Sequence, residues 1–220
     1  MQSRRKVLVH FSAAAVSFFG LTGFTHNKLL GKGGGGSWKA IITDWRDGLA
    51  LLVKAFIVLG NAQAHIAEAL GLKKEAALMR AQAKKIEESG DSLGGSEIEE
   101  FGQNSESVQK AINNKIKSSG KLDAEQKLAL AKAGGEVAKA LGSTASGVIK
   151  LVSASSKAAS APKPGFTDLA AVKIAPQIPQ LMPKAAGVVP KLFEVASDFQ
   201  KVAAEKDIAV PTMPKSPSFG

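Results

Sequence analysis

Trp38-Lys39-Ala40-Ile41-Ile42-Thr43-Asp44-Trp45-Arg46-Asp47-Gly48-Leu49-Ala50-Leu51-Leu52-Val53-Lys54-Ala55-Phe56-Ile57-Val58-Leu59-Gly60 opens the stretch that decides the fold. Through Leu70, the residues Trp38, Ile42, Trp45, Leu49, Leu52, Phe56, Leu59, Gln63, Ile66 and Leu70 step alternately by four and three, and all but Gln63 are apolar. That spacing puts them on one face of an α-helix, and so greasy a face has to be covered by other helices. Ile41, Val53, Ile57 and Val58 widen the stripe, so residues 49–59 are expected to be buried nearly all round.

After Gly71 the same rhythm resumes, shifted in phase, in Leu72, Ala76, Met79, Ala83 and Ile86. This predicts one long helix bent or broken near Gly71 and ending by Ser89-Gly90. Asp91 to Gly95 reads as a turn, and Ser96 with Glu99 as a capping box for a second helix. Its face is Ile98, Phe101, Val108, Ile112 and Ile116, and Gly120 stops it. Asp123 then caps a third helix, with Gln126 at the capping-box position.

In that third helix Leu128, Ala131, Gly135, Ala138, Gly142, Ala145, Ile149, Val152, Ser156 and Ala159 form the expected seam. Most are Ala, Gly or Ser, which let a backbone approach but bury little area at about 25 cal/mol per Å². Gly134, Gly135, Gly142 and Gly147 each cost about 0.8–1 kcal/mol of helix propensity relative to alanine, so this helix is expected to be the most pliable. Ala161 to Gly165 is a linker. A last run, Ile174, Ile178, Leu181, Ala185, Val188, Leu192, Val195, Phe199 and Val202, is crossed by Pro176, Pro179, Pro183 and Pro190. The prolines lie opposite the apolar stripe. A helix bent around its outer prolines fits that pattern, and so does an extended segment through Pro183 followed by a helix from about Lys184 to Lys206. Pro211, Pro214 and Pro217 mark residues 207–220 as a disordered tail.

The expected architecture is therefore all-α: an elongated antiparallel bundle of about four helices with coiled-coil-like heptad seams over residues 38–206. Period-2 runs of β-branched residues are missing and tyrosine is absent, which argues against a sheet. Upstream, residues 31–37 (Gly-Lys-Gly-Gly-Gly-Gly-Ser) form a flexible linker. A phosphate-binding loop is disfavoured because Lys32 precedes the glycines and no strand leads into them.

Ser3-Arg4-Arg5-Lys6 followed by an apolar run from Val7 to Phe24 marks residues 1–30 as an export signal or an uncleaved membrane anchor. Ser3, Arg4, Arg5 and Leu8 match the pattern Ser/Thr-Arg-Arg-x-Phe-Leu-Lys, so the segment resembles a twin-arginine export signal. Val7 stands where that family has Phe and Val9 where it has Lys. The resemblance implies a passenger exported already folded, sometimes with a cofactor or partner bound; an ordinary secretory signal with two arginines is the other reading. The best cleavage position, after Gly23, is weak, and 18 apolar residues are at the lower edge of a bilayer span. The body is expected on the periplasmic or extracytoplasmic side, released or held to the inner membrane by residues 7–24.

Beyond residue 31 there remain 25 Lys+Arg against 19 Asp+Glu, and the surplus is concentrated in residues 101–165, where every base is lysine. Nucleic-acid binders pair arginine forks with stacking aromatics, so no nucleic-acid partner is expected. Cysteine is absent, which removes disulfides, thiolate metal sites and a lipid-modified cysteine anchor. His65 and Glu68 lie one turn apart, yet a bundle metal site needs Glu-x-x-His from two helices. Met79, Met182 and Met213 read as packing. The carboxylates Glu87, Glu88, Glu97, Glu99 and Glu100 flank a turn and read as solvated charges at helix ends. No catalytic residue, metal or cofactor is assigned. The expected function is a non-enzymatic structural or protein-interaction module of the cell envelope, docking an envelope partner or a second copy. Binding to a lipid or an anionic membrane surface is the alternative reading, and a cofactor-carrying bundle exported folded is a second one.

Overall fold

The computed structural model describes residues 38–165 and 167–217, and every regular element among them is helical. Helix α1 spans Trp38–Ala69, α2 Lys73–Ser89, α3 Gly95–Ser118, α4 Ala124–Ser160, α5 Leu169–Ile174 and α6 Ile178–Ala204, with a single 3₁₀ turn at Gly90–Ser92. Six helices replace the expected four, because the chain breaks at Gly71 and again between Ile174 and Ile178. The export segment 1–30, the linker 31–37 and residues 218–220 lie outside the described residues.

The break at Gly71 has a clear local cause. Gly71 adopts φ +75°, the Leu72 N–H bonds to Ala67 O at 2.8 Å, and the Gly71 N–H bonds to Glu68 O at 2.9 Å. This is the paired bonding of a glycine-terminated helix, and only glycine enters that backbone region without steric cost. The chain reverses there and α2 folds back on α1. The same bonding ends α6: Ile208 N–H bonds to Ala203 O at 3.0 Å and Asp207 N–H to Ala204 O at 3.2 Å, with Asp207 at φ 54°. The stretch 207–217, expected as a disordered tail, is thereby turned back onto the bundle. Ile208 and Met213 are buried, and the Met213 N–H bonds to Gln200 Oε1 at 3.0 Å.

At the start of α4 the expected box is present, with Asp123 accepting from the Gln126 N–H at 2.8 Å and the Gln126 side chain accepting from the Asp123 N–H at 3.2 Å. The box expected at Ser96 and Glu99 does not form. Helix α3 starts two residues earlier, with Gly94 as the cap, and Glu99 reaches across to Lys184 of α6 instead. Glu97 takes over the end of the helix. Backbone N–H groups and the Ser96 hydroxyl, at 2.9 Å, hold its carboxyl below the usual carboxylate value.

Helix α1 is the spine. From Trp45 to Leu70 every position of the expected stripe is buried, and Trp38 and Ile42 are half-buried. Around residues 49–59 burial is less complete than expected: Ala50 and Lys54 are exposed. Partners of α1 fall in number along α4 as α1 rises: Trp38 with Pro162, Asp47 with Lys150, Gly48 with Gly147, Ala69 with Gln126. The two helices therefore run antiparallel over their whole length. Helices α3 and α6 do the opposite. Gly102 meets Val188 and Ser119 meets Lys206, so these neighbours run parallel, a departure from the expected antiparallel bundle. The cause is topological: the 37 residues of α4 carry the chain back along the bundle between them.

Where α1 and α4 cross, the backbones touch. A Cβ placed on Gly48 would lie 2.8 Å from Gly147 O, and one on Gly147 would lie 2.9 Å from Gly48 O. Nearby, the rings of Phe56 and Phe101 stack with centroids 4.7 Å apart, joining α1 to α3.

The expected seam of α4 is on the wrong face. Leu130, Ala133, Val137, Ala140, Thr144, Gly147, Leu151 and Ala154 are buried, each two residues beyond an expected position. Two residues are about 200° of helix, so the expected stripe is turned off the centre of the core: Ala131, Ala138, Ala145 and Val152 are half-buried at its edge. Leu128 is 71% exposed and Ile149 61%. The helical reading of the proline run holds from Ile178 on: Pro176 lies in the turn between α5 and α6, Pro179 sits in the first turn of α6, and Pro183 and Pro190 lie within it. Proline in that first turn removes only a donor without a helical partner. The two inner prolines face away from the buried stripe, where water can satisfy the carbonyls left without donors.

Candidate interaction surface

The polar side chains of the body are drawn mostly into structural pairs. Gln63 of α1 donates to Ser105 O and Gln109 Oε1, each at 3.2 Å, and the Ser105 hydroxyl returns a bond to Gln63 Oε1 at 2.9 Å. Gln109 passes the chain on to Asn113 at 3.0 Å. A buried amide without such partners would cost about 1–3 kcal/mol, so this network fixes the register of α1 against α3. Gln63 occupies the one polar position in the α1 stripe, and its role was not legible before Ser105 and Gln109 were placed opposite it.

Of the carboxylates around the α2–α3 turn, Glu88, Glu97, Glu99 and Glu100 are likewise engaged. Glu100 accepts from Lys85 and Gln82, and those bonds hold its carboxyl below the usual range. Glu88 pairs with Lys84 at 3.7 Å. His65 and Glu68, one turn apart, point to different partners: His65 Nδ1 lies 3.9 Å from Glu136, and Glu68 pairs with Arg80. Met79 and Met213 are buried in the core and Met182 is half-buried against it. Among the described residues no three of His, Cys, Asp and Glu converge as a metal set.

Along the α1–α4 seam Asp44 accepts from Lys157 and, at 3.1 Å, from the Ser153 hydroxyl. Burial alone would raise its pKa; these hydrogen bonds and the charges of Lys157 and Lys150 outweigh burial and lower it. A depressed folded-state pKa contributes stability above the unfolded value of about 3.9, and that contribution is lost as pH falls through the folded value. Asp44→Asn is accordingly expected to lower the urea midpoint at neutral pH and to make it fall less steeply below about pH 4. An unchanged slope in acid would show that the pair carries no net stabilisation.

What remains for recognition is apolar and exposed. On α4 Leu128 and Ile149 stand on the outward stripe, with Lys132 and Lys139 beside it. A second set lies at the end of the bundle where α1 begins. There Trp38, Ala158, Ala161, Pro162, Ile178 and Pro179 line a groove of about 390 Å³, and the Trp38 indole N–H donates to Pro162 O at 2.8 Å. The short helix α5, capped by Asp168 through the Ala171 N–H at 3.0 Å, packs beside the first turns of α1. It leaves Leu169 71% and Val172 42% exposed.

Helix α1 is long and apolar enough to cross a membrane by length and composition. Its stripe is covered by α4, α2 and α3, which accounts for that character within the bundle. The export residues Arg4, Arg5 and Leu8 lie outside the described residues. No family model matches the chain, and no curated protein or solved structure matches it.

Proposed function

We propose that this chain is an exported, non-enzymatic helical-bundle protein of the cell envelope that serves as a structural or protein-interaction module. The observation that carries the reading is the N-terminal order of charge and hydropathy: Arg4, Arg5 and Lys6, then apolar residues from Val7 to Phe24, then a glycine linker into the bundle. A body that would leave the cytoplasm folded has to hold together by packing alone, without disulfides, and the continuous apolar core of residues 41–213 is consistent with that demand. Several side chains that could act in catalysis, Glu68 and Glu100 among them, are held in structural pairs, while several large apolar side chains are not covered. Those features favour a surface that docks over a pocket that reacts.

A C-terminal phosphatase fusion that is active only outside the cytoplasm tests location. Arg4→Lys with Arg5→Lys tests the route: in a twin-arginine passenger the double variant stays in the cytoplasm, whereas a general secretory passenger is still exported. A fusion active only inside the cell would remove the envelope reading altogether. Co-purification from envelope extracts identifies the partner, and recovery of the protein as a lone monomer would leave the docking role without support.

A further inference from the structure

We infer that the end of the bundle at Trp38 seats on the surface of a lipid bilayer. The inference rests on the envelope reading of residues 7–24 and adds to it a defined face and orientation. Three observations bring it together. The tether joins here: Gly31 to Ser37 is seven residues, so its full reach is about 25 Å, and it delivers Trp38 itself. Leu169 and Val172 are exposed on α5, and α5 leads through Ala175 into the groove lined by Trp38, Pro162, Ile178 and Pro179. Lys39 and Lys163 flank Trp38 and form no ion pair among the described residues.

Tryptophan, lysine and aliphatic side chains grouped at one edge suit the boundary between headgroups and acyl chains. An indole sits there with its N–H satisfied, lysine reaches outward to phosphate, and leucine enters the apolar layer. The Trp38 indole already has its N–H partner in Pro162 O, so lowering the ring toward lipid strands no donor. The nearby acids are mostly occupied. Asp44 and Asp47 pair with Lys157 and Lys150, Asp168 caps α5, and Asp91 lies in a groove beside α5 that also holds the cations Arg46 and Lys173. Helix α1 is about 48 Å long, so the opposite end of the bundle would stand well clear of the bilayer.

The chain has no cysteine, so single reporters can be placed in the full-length protein. Leu169→Cys and Leu128→Cys are equally exposed and lie at opposite ends of the bundle, and Val172→Cys is a second reporter on α5. Each would carry an environment-sensitive fluorophore in full-length protein mixed with phosphatidylcholine–phosphatidylglycerol vesicles, some containing brominated lipid. The expected result is a blue shift and bromolipid quenching at 169 and 172, with neither at 128. Co-flotation with vesicles without a change at 169 or 172 overturns the seating while leaving membrane attachment through residues 7–24 intact. No co-flotation at all overturns both. A concentration-dependent shift at 169 without vesicles assigns this face to a second copy. A concentration-independent shielding without vesicles assigns it to the chain's own residues 7–24. Either of these last two results overturns the lipid assignment.

Discussion

Trp45→Ala is expected to destabilise the fold by about 3–5 kcal/mol, the cost of emptying a large aromatic site in a packed interior. Trp45 is 1% exposed and stands in the first third of α1, where α1 meets α4 and the short α5. The loss combines the transfer of an indole to water with a void that the helices can close only in part. Trp38 remains as a fluorescent probe in the variant, so urea unfolding can be followed by emission and by circular dichroism together. A loss below about 1 kcal/mol would show that the stripe from Trp45 to Leu70 does not form the centre of the core.

Gly147→Ala should also destabilise, by about 1–3 kcal/mol, although alanine is the better helix former by about 0.8–1 kcal/mol. A methyl at 147 would meet the Gly48 carbonyl oxygen at 2.9 Å and the Leu52 nitrogen at 3.2 Å, and both obstacles are backbone. No rotamer change relieves a clash with backbone, so α1 and α4 must move apart along their contact. Gly142, five residues earlier on the same helix, has nothing within 4 Å of the added methyl. Gly142→Ala should therefore stabilise by about 0.8–1 kcal/mol through propensity alone. The pair is its own control: the same substitution in the same helix is expected to change sign with the face. Two stabilising results would refute the close crossing.

The seam of α4 shows where periodicity stops being decisive. The buried face carries Leu130, Val137, Leu141, Val148 and Leu151, whereas the expected stripe carries Leu128 and Ile149, both exposed, and a half-buried Val152 among alanines and glycines. Two faces so alike in apolar area are separated by little burial free energy at about 25 cal/mol per Å². Lys132 and Lys139 were the available signal, since both flank the outward stripe. In α1 one face holds two tryptophans, Phe56 and several leucines, and its inward direction was legible at once. The recognition surface was less legible still. Leu169 reads as one more apolar residue after a linker, and its exposure follows from a six-residue helix that seats Ala171 and Ile174 inward.

Local chemistry thus determined helix as the regular structure of the described residues, a break near Gly71, the cap at Asp123 and the buried stripes of α1 and α6. Each of these depends on neighbours within a few residues or on a strong contrast between faces. Tertiary structure alone decided which side of α4 turns inward, that α3 lies parallel to α6, that Gln63 meets Ser105 and Gln109, and that residues 208–213 return to the core. Those outcomes turn on which backbones can approach each other and which buried polar groups find partners, and both are properties of segments distant in the chain.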